Sequence, residues 1–248
     1  EAYFSAGSDM VEPNSFGGSR YMLAKYGHGE RVEELNRLAG ELARSVAPEG
    51  SFVLGSIGPT GEILFEKGGT ADSEEMYGVF QEQARGLAAG GVDAVCIETM
   101  SDVTGELSLA IRAVKDSTDL PVVATLCFDR GPRGLFTMMG DTPEKALEFS
   151  HTFEPRLGAF GANCGAGPAM LIDTLARLCE AAEGKDIIIS KGNCGIPQMI
   201  DGEIVYSGTN AVMADYARLA RDCGAKIIGG CCGTTPERLK AIVNALDH

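Results

Sequence analysis

Basic residues are scarce in this chain: 21 Lys and Arg stand against 35 Asp and Glu, a formal charge of −14 at pH 7. Phosphate binding needs clustered cations, and none are grouped here, so the composition argues against nucleic acid as a partner. Long apolar runs are lacking as well. The longest, around residues 187–190 and 226–228, fall far short of the roughly 20 residues that cross a bilayer, so no membrane span is expected. No basic-then-apolar leader opens the sequence, although a start at Glu1 without Met is compatible with trimming. Eight cysteines in 248 residues are too sparse for a disulfide-stapled fold, so reduced thiols and a cytoplasmic setting are the expectation. No Gly-x-Gly-x-x-Gly follows an early strand, which disfavours a dinucleotide-binding open sheet.

What the chain does have is 44% apolar residues, enough for a substantial core, and 33 glycines, about twice the usual share of ~7%. Short apolar, β-branched runs at 9–12, 52–56, 94–98, 122–127, 159–163, 187–191 and 226–229 alternate with stretches of helical length. Those helices are expected near 30–47, 73–89, 103–116, 143–151, 168–182, 209–222 and 236–246. Strict alternation of this kind means parallel strands with crossover helices, in an open sheet or a closed barrel. Gly7, Gly91 and Gly224 sit between helix-like segments and strands and read as C-cap glycines. Residues 1–6 look like the last turns of a helix, so a βα unit is expected before residue 1. Seven visible units and one missing make eight. The expected fold is therefore an α/β (β/α)8 TIM barrel, a single domain over 1–248 whose first strand is missing from the chain. The end at His248, just after the last helix, fits a domain boundary.

In a barrel the C-terminal strand ends and the loops after them share one face, where catalytic residues gather. Those positions hold Asn14, residues 58–61, Glu98-Thr99, Asp129, Asn163-Cys164-Gly165, Gly192-Asn193-Cys194 and Gly230-Cys231-Cys232-Gly233. Zinc favours thiolates in tetrahedral geometry, and a catalytic site keeps three protein ligands with the fourth position open. Cys164, Cys231 and Cys232 would meet that need. Taken alone, Cys231-Cys232 could also be a redox disulfide in a barrel that only binds a ligand, or two small buried residues. Cys194 follows a strand too and could be a fourth or alternative ligand, whereas Cys96, Cys127, Cys179 and Cys223 read as core packing.

At these residues the sequence resembles the homocysteine S-methyltransferase family, which includes the homocysteine domain of methionine synthases and the betaine–homocysteine methyltransferases. The matching segments are Gly229-Gly230-Cys231-Cys232-Gly233-Thr234-Thr235-Pro236-Glu237, Asn163-Cys164, Gly55-Ser56-Ile57-Gly58-Pro59-Thr60-Gly61, Ile97-Glu98-Thr99 and Asn14-Ser15-Phe16-Gly17-Gly18. They run in the family's order over essentially the whole chain. The Gly-Gly-Cys-Cys-Gly-Thr-Thr-Pro string is highly specific.

The resemblance implies a TIM barrel with zinc on Cys164, Cys231 and Cys232. It implies methyl transfer from a small donor (betaine-like, methylsulfonium, or methyl-corrinoid or folate) to homocysteine, giving methionine. It further implies that Glu98 holds the amino group of homocysteine and that amides of Gly165, Ala166 and Gly167 receive its carboxylate. Asn14, Asn193 and Met138-Met139 are candidates to line the donor side, or else hydrogen-bonding strand ends and core filler. Glu98 could equally cap the next helix. Residues 130–140 and 192–197 look closer to betaine-type relatives. A close variant would keep the zinc and move methyl groups from small molecules to a corrinoid protein or domain. Assembly into a homo-oligomer stays open.

Overall fold

The computed structural model describes residues 1–132 and 134–247, and so leaves out Arg133, within the 130–140 loop, and His248, at the expected domain end. The chain forms two compact units, Asp9–Ala124 and, with Ala2–Ser8, the stretch from Thr125 onward.

The first unit opens with strand β1 (Met10–Val11), shorter than the expected 9–12, after the short helix α1 (Ala2–Ser5) of the second unit. It continues through α2 (Arg20–Ala24), α3 (Val32–Ser45), β2 (Phe52–Ile57), α4 (Ser73–Ala89), β3 (Ala94–Met100) and α5 (Ser108–Ser117), and into β4 (Val122–Leu126) at its boundary. β1 pairs parallel with β2 and β2 with β3, Leu54 opposite Ala94 and Ile57 opposite Ile97. Five of the six β2 residues and all of β4 are buried, as parallel strands enclosed on both faces should be. Helix α4 starts where Asp72 accepts hydrogen bonds from the amides of Glu74 and Glu75, both at 2.9 Å. The helix expected at 103–116 is two pieces: one π-helical turn, Val103–Leu107, then α5.

The second unit contains β5 (Asp129–Gly131), β6 (Gly134–Phe136), α6 (Pro143–Ser150), β7 (Ala159–Cys164), α7 (Pro168–Ala182) and β8 (Ile188–Gly192). It closes with β9 (Pro197–Ile200), β10 (Glu203–Tyr206), α8 (Asn210–Cys223), β11 (Ile227–Gly230) and α9 (Pro236–Leu246). β7 pairs parallel with β8 and β8 with β11. Helices α6 and α9 begin alike, with Thr142 or Thr235 accepting a backbone amide and a proline in the first turn.

Strand order in the seven-stranded sheet is β1-β2-β3-β4-β7-β8-β11, each neighbour next in the chain once the two hairpins are set aside. This is the expected α/β class of TIM-barrel type, with seven strands among the described residues. The expected C-cap glycines take positive φ: Gly7 at +99°, Gly91 at +76° and Gly224 at +112°. The hairpins β5–β6 and β9–β10 were not expected from periodicity. The second had a signal in Asp201-Gly202, whose φ values of +52° and +83° suit a two-residue turn between antiparallel strands.

Candidate metal centre

Three strand ends of the second unit stop level with one another. Cys164 of β7 lies in register with Gly192 of β8, and Gly230 of β11 with the same Gly192. The chain beyond is tied across as well: the Cys231 amide donates to Gly192 O at 2.8 Å and the Cys194 amide to Cys232 O at 2.9 Å. That alignment is why residues far apart in sequence meet. The local backbone is demanding. Cys164 has φ +65°, a left-handed conformation that a side-chain-bearing residue adopts at a cost of about 1–3 kcal/mol. A Cβ on Gly230 would come within 2.3 Å of the Thr234 side chain, and one on Gly233 within 2.3 Å of the Tyr206 ring. Gly230 and Gly233 of the Gly-Gly-Cys-Cys-Gly string are therefore steric requirements, whereas a Cβ on Gly229 would meet only the Lys191 side chain at an ordinary 3.9 Å.

The sulfurs of Cys164, Cys231 and Cys232 all lie within 4.8 Å of one another, and no other residues among those described form such a cluster. Tetrahedral zinc with bonds of about 2.3 Å sets its sulfurs about 3.8 Å apart; Cys231 and Cys232 stand at 3.9 Å. The donor set therefore fits a thiophilic metal ion after movements of under about 1 Å. All eight cysteines are free thiols.

In the protein chain alone, hydrogen bonds from Cys127, then Cys231 and Cys232, hold the Cys164 thiol far below the usual thiol range, against the effect of burial. Contact with Cys164 in turn pushes Cys127, Cys231 and Cys232 up. Crowded thiols cannot all ionise without a cation, and a cation at their centre would remove that limit.

Asn193 is engaged with this cluster: its Nδ2 donates to Cys164 Sγ at 3.4 Å and to Gly165 O at 2.9 Å, and its Oδ1 accepts from the Cys232 amide at 3.0 Å. Cys194 is buried away from the three sulfurs' cluster and donates to Gly208 O at 3.2 Å. Gly165, Ala166 and Gly167 form the loop into α7, with Ala166 exposed and Gly167 buried. Gly165 N–H is directed at the Cys127 sulfur. Cys127 is the residue that the core-packing expectation missed, and its place at the end of the 122–127 run was the available signal. In the first unit, Glu98 on β3 is buried and accepts a short hydrogen bond from the Ser56 hydroxyl. Asn14 lies exposed beyond the end of β1.

A TIM-barrel-type α/β chain with three strand-end thiols grouped for one ion defines a class of thiolate-site proteins. Its sequence matches the family model for homocysteine S-methyltransferase over residues 1–246, and the chain belongs to that family. Its fold is similar to that of the homocysteine methyltransferase MmuM from Escherichia coli. Against the metallated form the TM-score is 0.76 at 19% identity, over 97% of this chain and 81% of that one. Against the oxidized form it is 0.76 at 21% identity, over 98% and 81%. Dihydrodipicolinate synthase from Cyanidioschyzon merolae shares the fold more distantly, with a TM-score of 0.53 at 15% identity over 100% of this chain and 66% of that one.

Proposed function

We propose that this member of the homocysteine S-methyltransferase family is a single-domain zinc enzyme that methylates homocysteine to methionine, with Cys164, Cys231 and Cys232 as ligands. The observation that carries this reading is the gathering of three sulfurs within 4.8 Å. A free alkyl thiol with a pKa near 8.5 is only a few per cent ionised at pH 7, and the thiolate is the nucleophile. Bound on the three thiols, zinc would supply the positive charge that ionises the incoming thiol.

The protein's own residues bind and orient. The Gly165–Ala166–Gly167 loop leads into the N-terminus of α7, where backbone amides suit a carboxylate. Because the Gly165 amide already faces Cys127, Ala166 and Gly167 carry most of that proposed role. Glu98, held by Ser56, is proposed to receive the amino group, and Asn14 to line the donor side. Asn193 is proposed to serve the substrate through the Cys164 and Cys232 loops that it fixes. Among the described residues no helix is long and apolar enough to cross a membrane. A reducing, cytoplasmic setting is proposed on the strength of the free thiols.

The test is a screen of methyl donors of the betaine, sulfonium and methyl-corrinoid or folate classes against homocysteine, with zinc measured on the same sample. Methionine formed by protein holding close to one zinc per chain supports the reading. Methylation at full rate by metal-free protein overturns the zinc assignment. Methylation of a corrinoid protein and not of homocysteine would move the activity to that acceptor.

A further inference from the structure

Three ligand thiolates and a bound thiol substrate place four chemically similar sulfurs before one methyl donor, and a productive enzyme must methylate only the substrate. This problem arises from the zinc reading above, and the inference rests on that reading. The structure supplies each ligand sulfur with a polar hydrogen. Asn163, almost wholly buried one residue before Cys164, points its Nδ2 at Cys231 Sγ across 3.7 Å. Thr125, fully buried, donates its hydroxyl to Asn163 Oδ1 at 2.8 Å. A flipped amide could still donate to that hydroxyl, which accepts as well as donates, but it would set its oxygen against an anionic sulfur; the thiolate therefore selects the NH2 end, and Thr125 anchors the oxygen. Asn193 donates to Cys164 in the same way, its own oxygen fixed by the Cys232 amide. The Tyr206 hydroxyl hydrogen-bonds Cys232.

A hydrogen bond donated to an anionic sulfur draws on the lone pair that would attack carbon, and a less basic thiolate is a weaker nucleophile. Methyl transfer requires that pair: the new S–C bond forms as the bond from carbon to the leaving group breaks, and the leaving group departs with its electrons. At Cys231 the product would be S-methylcysteine, a neutral thioether that no longer balances the metal's charge. We infer that Asn163, oriented by Thr125, determines specificity among the sulfurs by holding a hydrogen bond on Cys231 that keeps this ligand from competing with the substrate for the methyl group.

The experiment treats the zinc-loaded full chain with methyl iodide, a generic methyl donor that releases iodide, and maps S-methylation by peptide mass spectrometry. Asn163→Leu keeps the number and branching of the side-chain heavy atoms and removes the donor. Thr125→Val keeps the shape and releases the amide. Methylation of Cys231 relative to Cys164 should rise about 10-fold in Asn163→Leu, in line with losing one hydrogen bond to a charged group, and by less in Thr125→Val. Zinc affinity, followed by competition with a chelator, should shift much less than that ratio. An unchanged ratio in zinc-loaded Asn163→Leu overturns the inference. Should that variant not hold zinc, an unchanged ratio in zinc-loaded Thr125→Val overturns it equally. Wild-type protein that binds no zinc or leaves homocysteine unmethylated overturns the underlying reading instead.

Discussion

Buried reactive groups are handled in opposite ways by the two units. In the first, Glu98, Asp102 and Glu106 are all buried and each has its own neutral donors, Asp102 being paired with Lys67 at 3.4 Å as well. Ser56 serves Glu98, the Gly105 and Glu106 amides serve Asp102, and the Thr60 amide and hydroxyl serve Glu106 at 2.7 and 2.6 Å. In the second, Cys164, Cys231 and Cys232 compete for one another's protons, and their donors cannot neutralise three charges at once. The difference teaches what each arrangement awaits. Carboxylates fixed singly by neutral donors can meet a substrate cation such as an ammonium group. Thiols packed into one cluster call for a metal ion.

That contrast can be broken by experiment. The largest effect is expected from Cys231→Ala, which should lose tightly bound zinc and reduce homocysteine methylation at least about 1,000-fold, because a catalytic zinc site keeps only three protein ligands. Metal analysis beside a turnover assay checks it. Glu98→Gln should retain zinc but lower kcat/KM for homocysteine about 100-fold, the weight of a charged hydrogen-bond partner. Loss of metal in this variant would erase the division between the units. Cys127→Ala should keep the three ligands and weaken zinc affinity about 10-fold, as removal of a group supporting a ligand does; a chelator titration reads it directly.

Two smaller effects sharpen the account of the first unit. Burial pushes the Glu106 carboxyl above its ordinary value, against the hydrogen bonds from Thr60. The folded state therefore binds this proton more tightly than the unfolded chain does. The resulting stabilisation is present below the unfolded value near 4.3 and is lost as pH rises through the higher folded value. Glu106→Gln lacks that loss, so its stability relative to wild type should climb from pH 4 to pH 7 in urea denaturation; a flat or falling difference contradicts the assignment. Asp72→Ala should cost about 1 kcal/mol through the lost cap of α4 and leave metal binding unchanged.

Much of this was legible in the sequence, for identifiable reasons. Parallel strands buried on both faces read as continuous apolar runs, so the pieces of the seven-stranded sheet could be found, and Gly7, Gly91 and Gly224 marked three turns by chemistry that only glycine supplies cheaply. Cys164, Cys231 and Cys232 were expected to meet because all three stand at or just after strand ends, and the structure does gather them; strand position alone left a disulfide open, and the resemblance carried by the Gly-Gly-Cys-Cys-Gly-Thr-Thr-Pro string is what implied zinc. Cys127 was missed because the residue just after a strand, read together with the apolar 122–127 run, looks like core until its neighbour Cys164 is known. Asn193 was visible as a polar strand end, but its partners lie in two loops that only tertiary structure joins. The π-helical turn at Val103–Leu107 has no periodicity distinct from the helix that follows it.

The central claim is that three strand-end thiols hold one zinc ion for thiol activation. It is tested most directly by titrating the thiols of active native protein with and without a chelator while counting released zinc. The account predicts close to one zinc per chain, with Cys164, Cys231 and Cys232 modified only after its removal. Native, fully active protein whose three thiols react at once and release no metal would contradict it.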